Sequence, residues 1–466
     1  MANEKKQENK RKKLYYDLSF VGTLIFLLFR IPLTNIIGNE GNGYFSVSWE
    51  LYTLFGLFFG LVLSNVTGEM VRKRFRKNHY QNAANVLTTS LFSGFVLSLL
   101  GAAAIYFSSN ILLEFLSIKL SGIGFRFIAV LLIFSTMAGV FRGFFEGTGT
   151  NIPTYFSKMV EAFVAGTGAV IFSVILVKYG AKVGALLFNQ QYEPAFGAAG
   201  IIVGCICGSI FALIFLFAVN CIYQIPLKQL LKKDESKMME PLKAVIREMT
   251  RLSLFAFMEL LFFKLFRTVN MWLYIKTTSV TDGKGKIVQY LGSYHGKVLV
   301  LIGIAAVIVL TFSGRNTKRI HRFYFKNEYK PCWKFFCDDI KQIAIISIPF
   351  IVLFAALGNN IFTFLYKTAG KIEVTMFQIG SINIFFIPMA VYMYRLLRKM
   401  DLKLVLIIIP AVSFVIQTVT MYFIVKIPAI GSLSMIISET AFWGMVVIME
   451  LLVSLKTLKQ GFKSKI

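Results

Sequence analysis

Clusters of Lys and Arg divide this chain into long apolar runs, and those runs set the problem any fold must solve. A helix needs about 20 mainly apolar residues to cross the roughly 30 Å hydrocarbon layer of a bilayer. Twelve such runs occur, at 17–37, 45–71, 82–107, 125–145, 154–177, 196–223, 252–275, 288–313, 342–366, 372–394, 402–425 and 429–455. They are unbroken rather than alternating in ten-residue pieces, which argues against the strands of a membrane barrel. Charged residues make up 16% of the chain, well below the roughly 25% of soluble domains. Forty-seven Phe are also more than one soluble core of this size can hide. The sequence therefore predicts an all-α polytopic membrane protein of about 12 transmembrane helices.

Fifty Lys and Arg against 23 Asp and Glu give a net charge of +27, which in a soluble protein would point to nucleic acid. Location changes that reading, because loops alternate sides of the membrane and cytoplasmic loops hold the Lys and Arg. One side receives 35: the N-terminal tail, 72–77, Arg142, 228–251, 315–341, 395–403 and the residues from 456 onward. The other receives 10, namely Lys119, Arg126, Lys178, Lys182, Lys276, Lys284, Lys286, Lys367, Lys371 and Lys426. Both termini are thus predicted to be cytoplasmic, and no nucleic acid partner is required. The basic run at 10–13 resembles the start of a signal peptide. Arg30 and Pro32 interrupt the apolar run behind it and no small-residue cleavage site follows, so it is read as a retained first helix.

The longest polar connection divides the spans six and six. The expected organisation is a basic tail at 1–16, a six-helix lobe at 17–224, a cytoplasmic linker at 225–251, a second six-helix lobe at 252–455 and a basic tail at 456–466. An amphipathic helix around 239–249 is expected to lie on the lipid headgroups. Two six-helix halves fit the parallel repeats of secondary transporters, although no residue-level repeat joins them. External loops are short, the longest at 108–124 and 178–195, which leaves no room outside for a catalytic domain. The basic loops predict attraction to anionic membrane lipids, at about 1 kcal/mol per well-placed cation.

Several chemistries lack their residues. Cys205, Cys207, Cys221, Cys332 and Cys337 all fall outside the external loops, and Cys332 and Cys337 sit in a cytoplasmic loop where thiols stay reduced. His321 is the one histidine near them, too few ligands for zinc, and His79 and His295 complete the histidines. No metal, cofactor or enzymatic activity is predicted. Without a GxxxxGK[ST] loop the chain has no recognisable means of splitting a nucleoside triphosphate. Transport would draw on an ion gradient, the membrane potential or a substrate gradient. The phrase GNEGNG at 38–43 lies between two spans and is read as a turn.

An ionisable side chain inside a span costs about 2.5 to 3.5 kcal/mol on insertion scales, so it faces a partner or a wet cavity. The first span carries Arg30, followed by Pro32. The fifth carries Lys158 and Glu161 on one helical face. The seventh carries Glu259, Lys264, Arg267 and Asn270, the last three in one stripe. The eighth begins with His295 and Lys297, and the twelfth holds Glu439 and Glu450. One reading is a water-filled cavity between the halves, lined by Arg30, Lys264, Arg267 and Asn270, drawing in an anionic substrate. Arg suits phosphate because its planar fork donates two hydrogen bonds at once. The structural alternative pairs Lys158 with Glu161 and lets Lys297 and Glu450 snorkel to the interface. Glu259 either neutralises Arg267 or, with Lys158, Glu161 and Glu439, belongs to a coupling or ion-pair set. Pro32, Pro153, Pro388 and Pro410 start or bend helices.

Two stretches carry a family resemblance. In RIPLTNIIGNEGNGYFSVSWELY the matching residues are Arg30, Ile31, Pro32, Leu33, Gly38, Glu40, Gly41, Gly43 and Tyr44. In FRGFFEGTGTNIPTYFSKMVE they are Arg142, Gly143, Gly147, Pro153, Ser157 and Glu161. Over residues 20–220 the chain resembles the stage V sporulation protein B-like polysaccharide exporters. These belong to the multidrug, oligosaccharidyl-lipid and polysaccharide (MOP) superfamily, whose fold is MATE-like. The resemblance implies a monomer in the bacterial plasma membrane that flips a polyprenyl-pyrophosphate-linked glycan between leaflets by alternating access. It also implies glycosyltransferases or a polymerase of the same pathway as partners. On that pattern Arg30 is the substrate-contacting residue. Gly38, Glu40, Gly41, Gly43, Arg142, Gly147 and Pro153 are gate or hinge elements. Relatives that move lipid II usually have fourteen spans, the extra pair forming a groove for the lipid tail. Twelve spans weigh against lipid II itself.

Two rival functions keep their support. A MATE-like small-molecule or drug:cation antiporter would want carboxylates in its cavity, and Glu161, Glu259 and Glu439 supply them. A non-transporting membrane scaffold derived from the same fold is the other, since the resemblance fades in the C-terminal half.

Overall fold

The structure is a computed structural model, and it describes residues 20–115, 120, 122–236, 238–278, 284–314, 316–427 and 430–463. The tail at 1–16, Lys119 and Arg315 lie outside the described residues. Helices dominate throughout, for the reason the bilayer imposes: with no water to bond backbone groups, each apolar run must satisfy its own N–H and C=O. Helix α1 covers Val21–Gly56, a π-helical segment covers Leu57–Val62, and α2 continues over Leu63–Phe75. Then come α3 (Tyr80–Phe115), α4 (Gly122–Thr148), α5 (Ile152–Leu186), α6 (Tyr192–Leu231) and α7 (Leu242–Thr278). Helix α8 (Lys284–Ser293) passes through a second π-helical segment, Tyr294–Val298, into α9 (Leu299–Phe312). The remainder are α10 (Thr317–Phe325), α11 (Tyr329–Tyr366), α12 (Lys371–Gly380), α13 (Asn383–Lys399), α14 (Lys403–Ile424) and α15 (Ser434–Lys463).

Ten helical stretches among the described residues are long and apolar enough to cross a membrane. The first, Val21–Phe75, spans 55 residues, enough for two of the expected crossings. Helix α7, with Glu259, Lys264 and Arg267 along its middle, is not one of the ten. Among the described residues each of the twelve apolar runs is thereby mainly helical. Large apolar side chains face outward along these helices, among them Phe92 at 74% exposure, Phe107 at 80% and Phe364 at 85%. In water such a belt would be an aggregation surface, whereas in a bilayer it is the lipid-facing one.

The turn expected at 38–43 is instead a kink inside continuous helix. Gly38 alone leaves helical geometry, at φ 70° and ψ −174°, a conformation that favours glycine. Helix resumes at once through Asn39 and Glu40.

The described chain forms two compact units, 1–264 and 265–466, the boundary falling within α7. In the first unit the tightest helix pair is α5 with α6. Gly200, Gly204 and Gly208, four apart on α6, face Ser173, Ala169 and Ala165, four apart on α5. A Cβ at Gly200 would lie 2.6 Å from the Ser173 Cα, so the backbones are as close as small residues permit.

The surface helix expected at 239–249 is replaced by the first turns of α7. Val245 and Met249 are buried in the core of the first unit with Met70, Val71, Val86 and Phe144. Val245 and Met249 are covered by protein rather than by headgroups, while Leu242 and Ile246 stay exposed. The preceding segment is pinned to the 74–85 turn. Arg74, 7% exposed, donates from Nε to both Glu240 oxygens (3.2 and 3.1 Å) and from Nη2 to Glu248 Oε2 (2.8 Å). The Gln81 backbone N–H donates to Asp234, Asn78 donates to Glu235, and Asn82 accepts from the Glu240 backbone N–H.

Candidate functional site

Two clusters of intramembrane polar residues form, one within each unit. In the first unit Arg30 lies on α1 and is 4% exposed. It donates to Asn42 Oδ1 at 2.8 Å, and its guanidinium sits 4.3 Å from the Phe45 ring centroid. Twelve residues along a straight helix cover about 18 Å, beyond the reach of one side chain. The kink at Gly38 makes this contact, and Asn42 Nδ2 steadies it by donating to the Gly38 carbonyl at 2.9 Å.

Glu161 on α5 accepts from Arg142 Nη2 at 2.6 Å, while Arg142 Nε donates to Ser157 Oγ at 2.9 Å. Arg142, read from sequence as a loop element, is in the last turns of α4 with its side chain 12% exposed, and it ties α4 to α5. The alternative that pairs Glu161 with Lys158 is replaced by this cross-helix pair. Glu161 and Arg30 both act electrostatically on the Cys205 thiol of α6, and Glu161 and Arg142 act on the Tyr52 hydroxyl. Arg30, Tyr52, Arg142, Ser157, Glu161 and Cys205 are thus one neighbourhood inside the unit.

Glu40 is half-buried just past the kink, and Gly43 is buried, its carbonyl accepting from Ser46. Gly41 and Gly147 are close-approach positions, where a Cβ would meet Ile37 at 2.7 Å and Val71 at 2.6 Å. Pro153 stands at the start of α5, where its missing N–H costs nothing. Lys158 is half-buried, with its backbone carbonyl against Gly22. Glu259 is 3% exposed, and Lys264, half-buried, is the last residue of the first unit.

In the second unit Arg267 Nη2 donates to Glu439 Oε1 on α15 at 2.5 Å. Glu439 is fully buried, whereas the Arg267 side chain keeps 32% of its surface exposed. Tyr294 donates to the other Glu439 oxygen, and Trp443 Nε1 donates to Oε1 at 3.3 Å. One helical turn beyond Arg267, Asn270 donates to Ser438 Oγ at 3.0 Å and accepts from Gln417. Tyr294 opens the π-helical segment, and Lys297, in the same segment, reaches a different helix. Its ammonium lies 2.9 Å and 3.1 Å from the Glu373 oxygens on α12, and Ser293 donates to Glu373 at 2.6 Å.

Lys297, expected to snorkel, is 4% exposed and locked in that pair; Glu450, expected to do the same, is 1% exposed within α15. Sequence reasoning passed over Asn42, Glu50, Tyr294, Glu373 and Gln417. Glu50 and Glu373 lie within apolar runs and answer to the same intramembrane-charge test that selected Lys297. Asn42, Tyr294 and Gln417 carry no charge and offered no such signal. Among the described residues no group of three His, Cys, Asp or Glu is placed to hold a metal.

No family model and no curated protein matches the chain. Solved structures do. The chain is similar to a multidrug resistance MATE family transporter of the MOP superfamily in its inward-facing conformation, at 12% identity and a TM-score of 0.69 over 96% of both chains. An outward-facing MATE transporter of the same superfamily matches over 97% of this chain and 94% of its own, at 13% identity and a TM-score of 0.61. A third is a MOP superfamily transporter from Pyrococcus furiosus, whose reversed binding-pocket polarity is said to suggest a different function. It matches at 12% identity and a TM-score of 0.57, over 97% of this chain and 94% of its own. These likenesses establish the fold: an all-α polytopic membrane protein built like the MATE transporters of the MOP superfamily. The neighbours are transporters rather than enzymes, and their superfamily is the one the two sequence motifs resemble.

Proposed function

We propose that this chain is a membrane transporter that works by alternating access and moves a polyprenyl-pyrophosphate-linked oligosaccharide, a precursor of cell-wall or surface polysaccharide, across the plasma membrane without ATP. The observation that carries the reading is Arg267. Its guanidinium is oriented by a fully buried Glu439 while a third of the side chain stays exposed. A fork held in that way can offer donors to a pyrophosphate without being free to collapse onto another residue. Arg30, steadied by Asn42 and Phe45, supports the same chemistry in the first unit. The fold supports the alternating-access part, and the lack of a nucleotide-binding loop supports secondary transport.

The test is transport by the purified chain in vesicles. Labelled polyprenyl-pyrophosphate sugar should cross without ATP, and Arg30→Ala or Arg267→Ala should abolish its movement in vesicles holding equal amounts of folded protein. An ATP requirement, or export retained in both variants, would sink the proposal.

A small-molecule:cation antiporter is the second reading, and a specific observation favours it. Arg267 and Lys297 each sit beside a carboxylate, Glu439 and Glu373, so the interior of the second unit holds acids as well as cations. Uptake of an organic cation against a proton or sodium gradient, with no movement of the lipid-linked sugar, would select it.

A further inference from the structure

Glu450, on the last crossing, has no part in either reading. Its side chain is 1% exposed, and its Oε2 has no hydrogen-bond partner among the described residues. An ionised carboxylate buried without a counter-charge loses hydration that nothing replaces. A protonated carboxyl loses only what a neutral polar group does.

Contacts to either side fix the level at which Glu450 lies. Asn383 donates to Thr440 Oγ1 at 3.0 Å and Ser454 donates to Met393 Sδ at 3.6 Å, so α15 runs alongside α13. Glu450 falls between these contacts, level with Met389 and Ala390, both buried. Helix α14 runs back along α15, with Ser438 donating to Met421 Sδ at 3.6 Å, which sets Glu450 level with the buried Ile409 and Pro410. Pro410 has no N–H to offer the Leu406 carbonyl. A bare carboxylate can only accept, as that carbonyl does, whereas a protonated one can donate. One turn beyond Pro410, the fully buried Ser413 Oγ also has no partner among the described residues.

The ionisable groups on the helices packed against α15 are largely engaged elsewhere. Glu373 of α12 pairs with Lys297, Asp339 of α11 accepts from Asn316, Lys403 of α14 pairs with Asp401, and Glu439 of α15 itself holds Arg267. On α13, Tyr392 is buried and Arg395 half-buried, both past Ala390 toward the end of the helix.

We propose that Glu450 is a proton-binding site that couples the transport cycle to the proton gradient. It holds a proton while sealed between α13, α14 and α15, and gives it to water when those helices part. The inference rests on the transporter reading but not on which cargo is moved.

The first test uses the purified full chain at neutral pH, reading the infrared C=O band of a buried protonated carboxyl together with thermal unfolding. The unaltered chain should show the band. Glu450→Gln, which copies the shape and neutrality of the protonated acid, should lose it with Tm unchanged, and Glu450→Asp should keep it. A band that survives in Glu450→Gln would overturn the proposal, as would a lowered Tm in that variant, the mark of an ionised carboxylate paired with Arg395 or another cation. The second test uses vesicles with the membrane potential clamped. A gradient of one pH unit, coupled through one proton, sustains up to about tenfold accumulation of cargo. The unaltered chain should accumulate the lipid-linked sugar or the organic cation to that extent, and Glu450→Gln should equilibrate it without accumulation. Equal accumulation by the two, or movement without accumulation in both, would overturn the coupling. If neither cargo moves in the unaltered chain, the transport reading falls and the coupling with it, while the infrared band still decides whether Glu450 binds a proton.

Discussion

At the scale of single residues, several of the buried charges are held by specific partners. Glu439 is the clearest case, since one carboxylate receives Arg267, Tyr294 and Trp443. Removing one member of a fully buried pair costs about 3 to 5 kcal/mol, because the other is left uncompensated. With a third of Arg267 exposed to screening, Glu439→Ala is expected to cost less, about 2 kcal/mol in thermal or denaturant unfolding. Glu439→Gln, which keeps a hydrogen-bond acceptor for Tyr294, should cost less again, and equal losses would deny the ion pair a stabilising role. The sequence made Arg267 and Glu439 visible as candidates, because charges in apolar runs are rare. It did not join them, because they are 172 residues apart and only helix packing makes them neighbours.

At the scale of elements, glycine spacing and linker charges decide how helices meet. Gly204 faces the backbone of Ala169, so Gly204→Leu must push α5 and α6 apart and is expected to destabilise by about 1 to 3 kcal/mol. Gly60, where an added Cβ meets nothing within 4 Å, is the matched control. The linker contact is electrostatic and therefore pH-dependent. Burial raises the Glu248 carboxyl, but the hydrogen bond and charge of Arg74, with Lys73, outweigh it and leave its pKa lowered. A lowered carboxylate contributes stability in full above the unfolded value of about 4.3, and loses it as pH falls through the folded value below that. Proteolytic cleavage within 232–241 should therefore rise on acidification below about pH 4.3. In Glu248→Gln cleavage should be faster at neutral pH and should lose most of that acid dependence; an unchanged acid response would exclude Glu248 as its source. The linker was legible as a polar gap, yet its seating was not. Val245 and Met249 read equally well as a lipid-facing stripe until the core that covers them is seen.

At the scale of the whole molecule, the 35 and 10 cations on alternate loops predict the orientation. Single cysteines placed at Lys73 and Lys330 in a cysteine-free background should react with an impermeant thiol reagent only after the membrane is opened. Cysteines placed at Lys178 and Lys371 should react in intact cells. The reverse pattern would invert the topology, and a mixture would break the twelve-span count.

What the sequence determined by itself is the set of helices and their material. Apolar length is a local property, and a bilayer leaves a 20-residue apolar run no other way to satisfy its backbone. Tertiary structure decided the rest. It turned a glycine-rich loop into a kink that brings Asn42 to Arg30, and it made Arg142 the partner of Glu161 and Glu439 the partner of Arg267. It also moved Lys297 from the interface into a buried pair with Glu373. Pairing depends on which helices lie side by side and on which face each presents. Those relations are set by packing between residues far apart in the chain, and no local pattern records them.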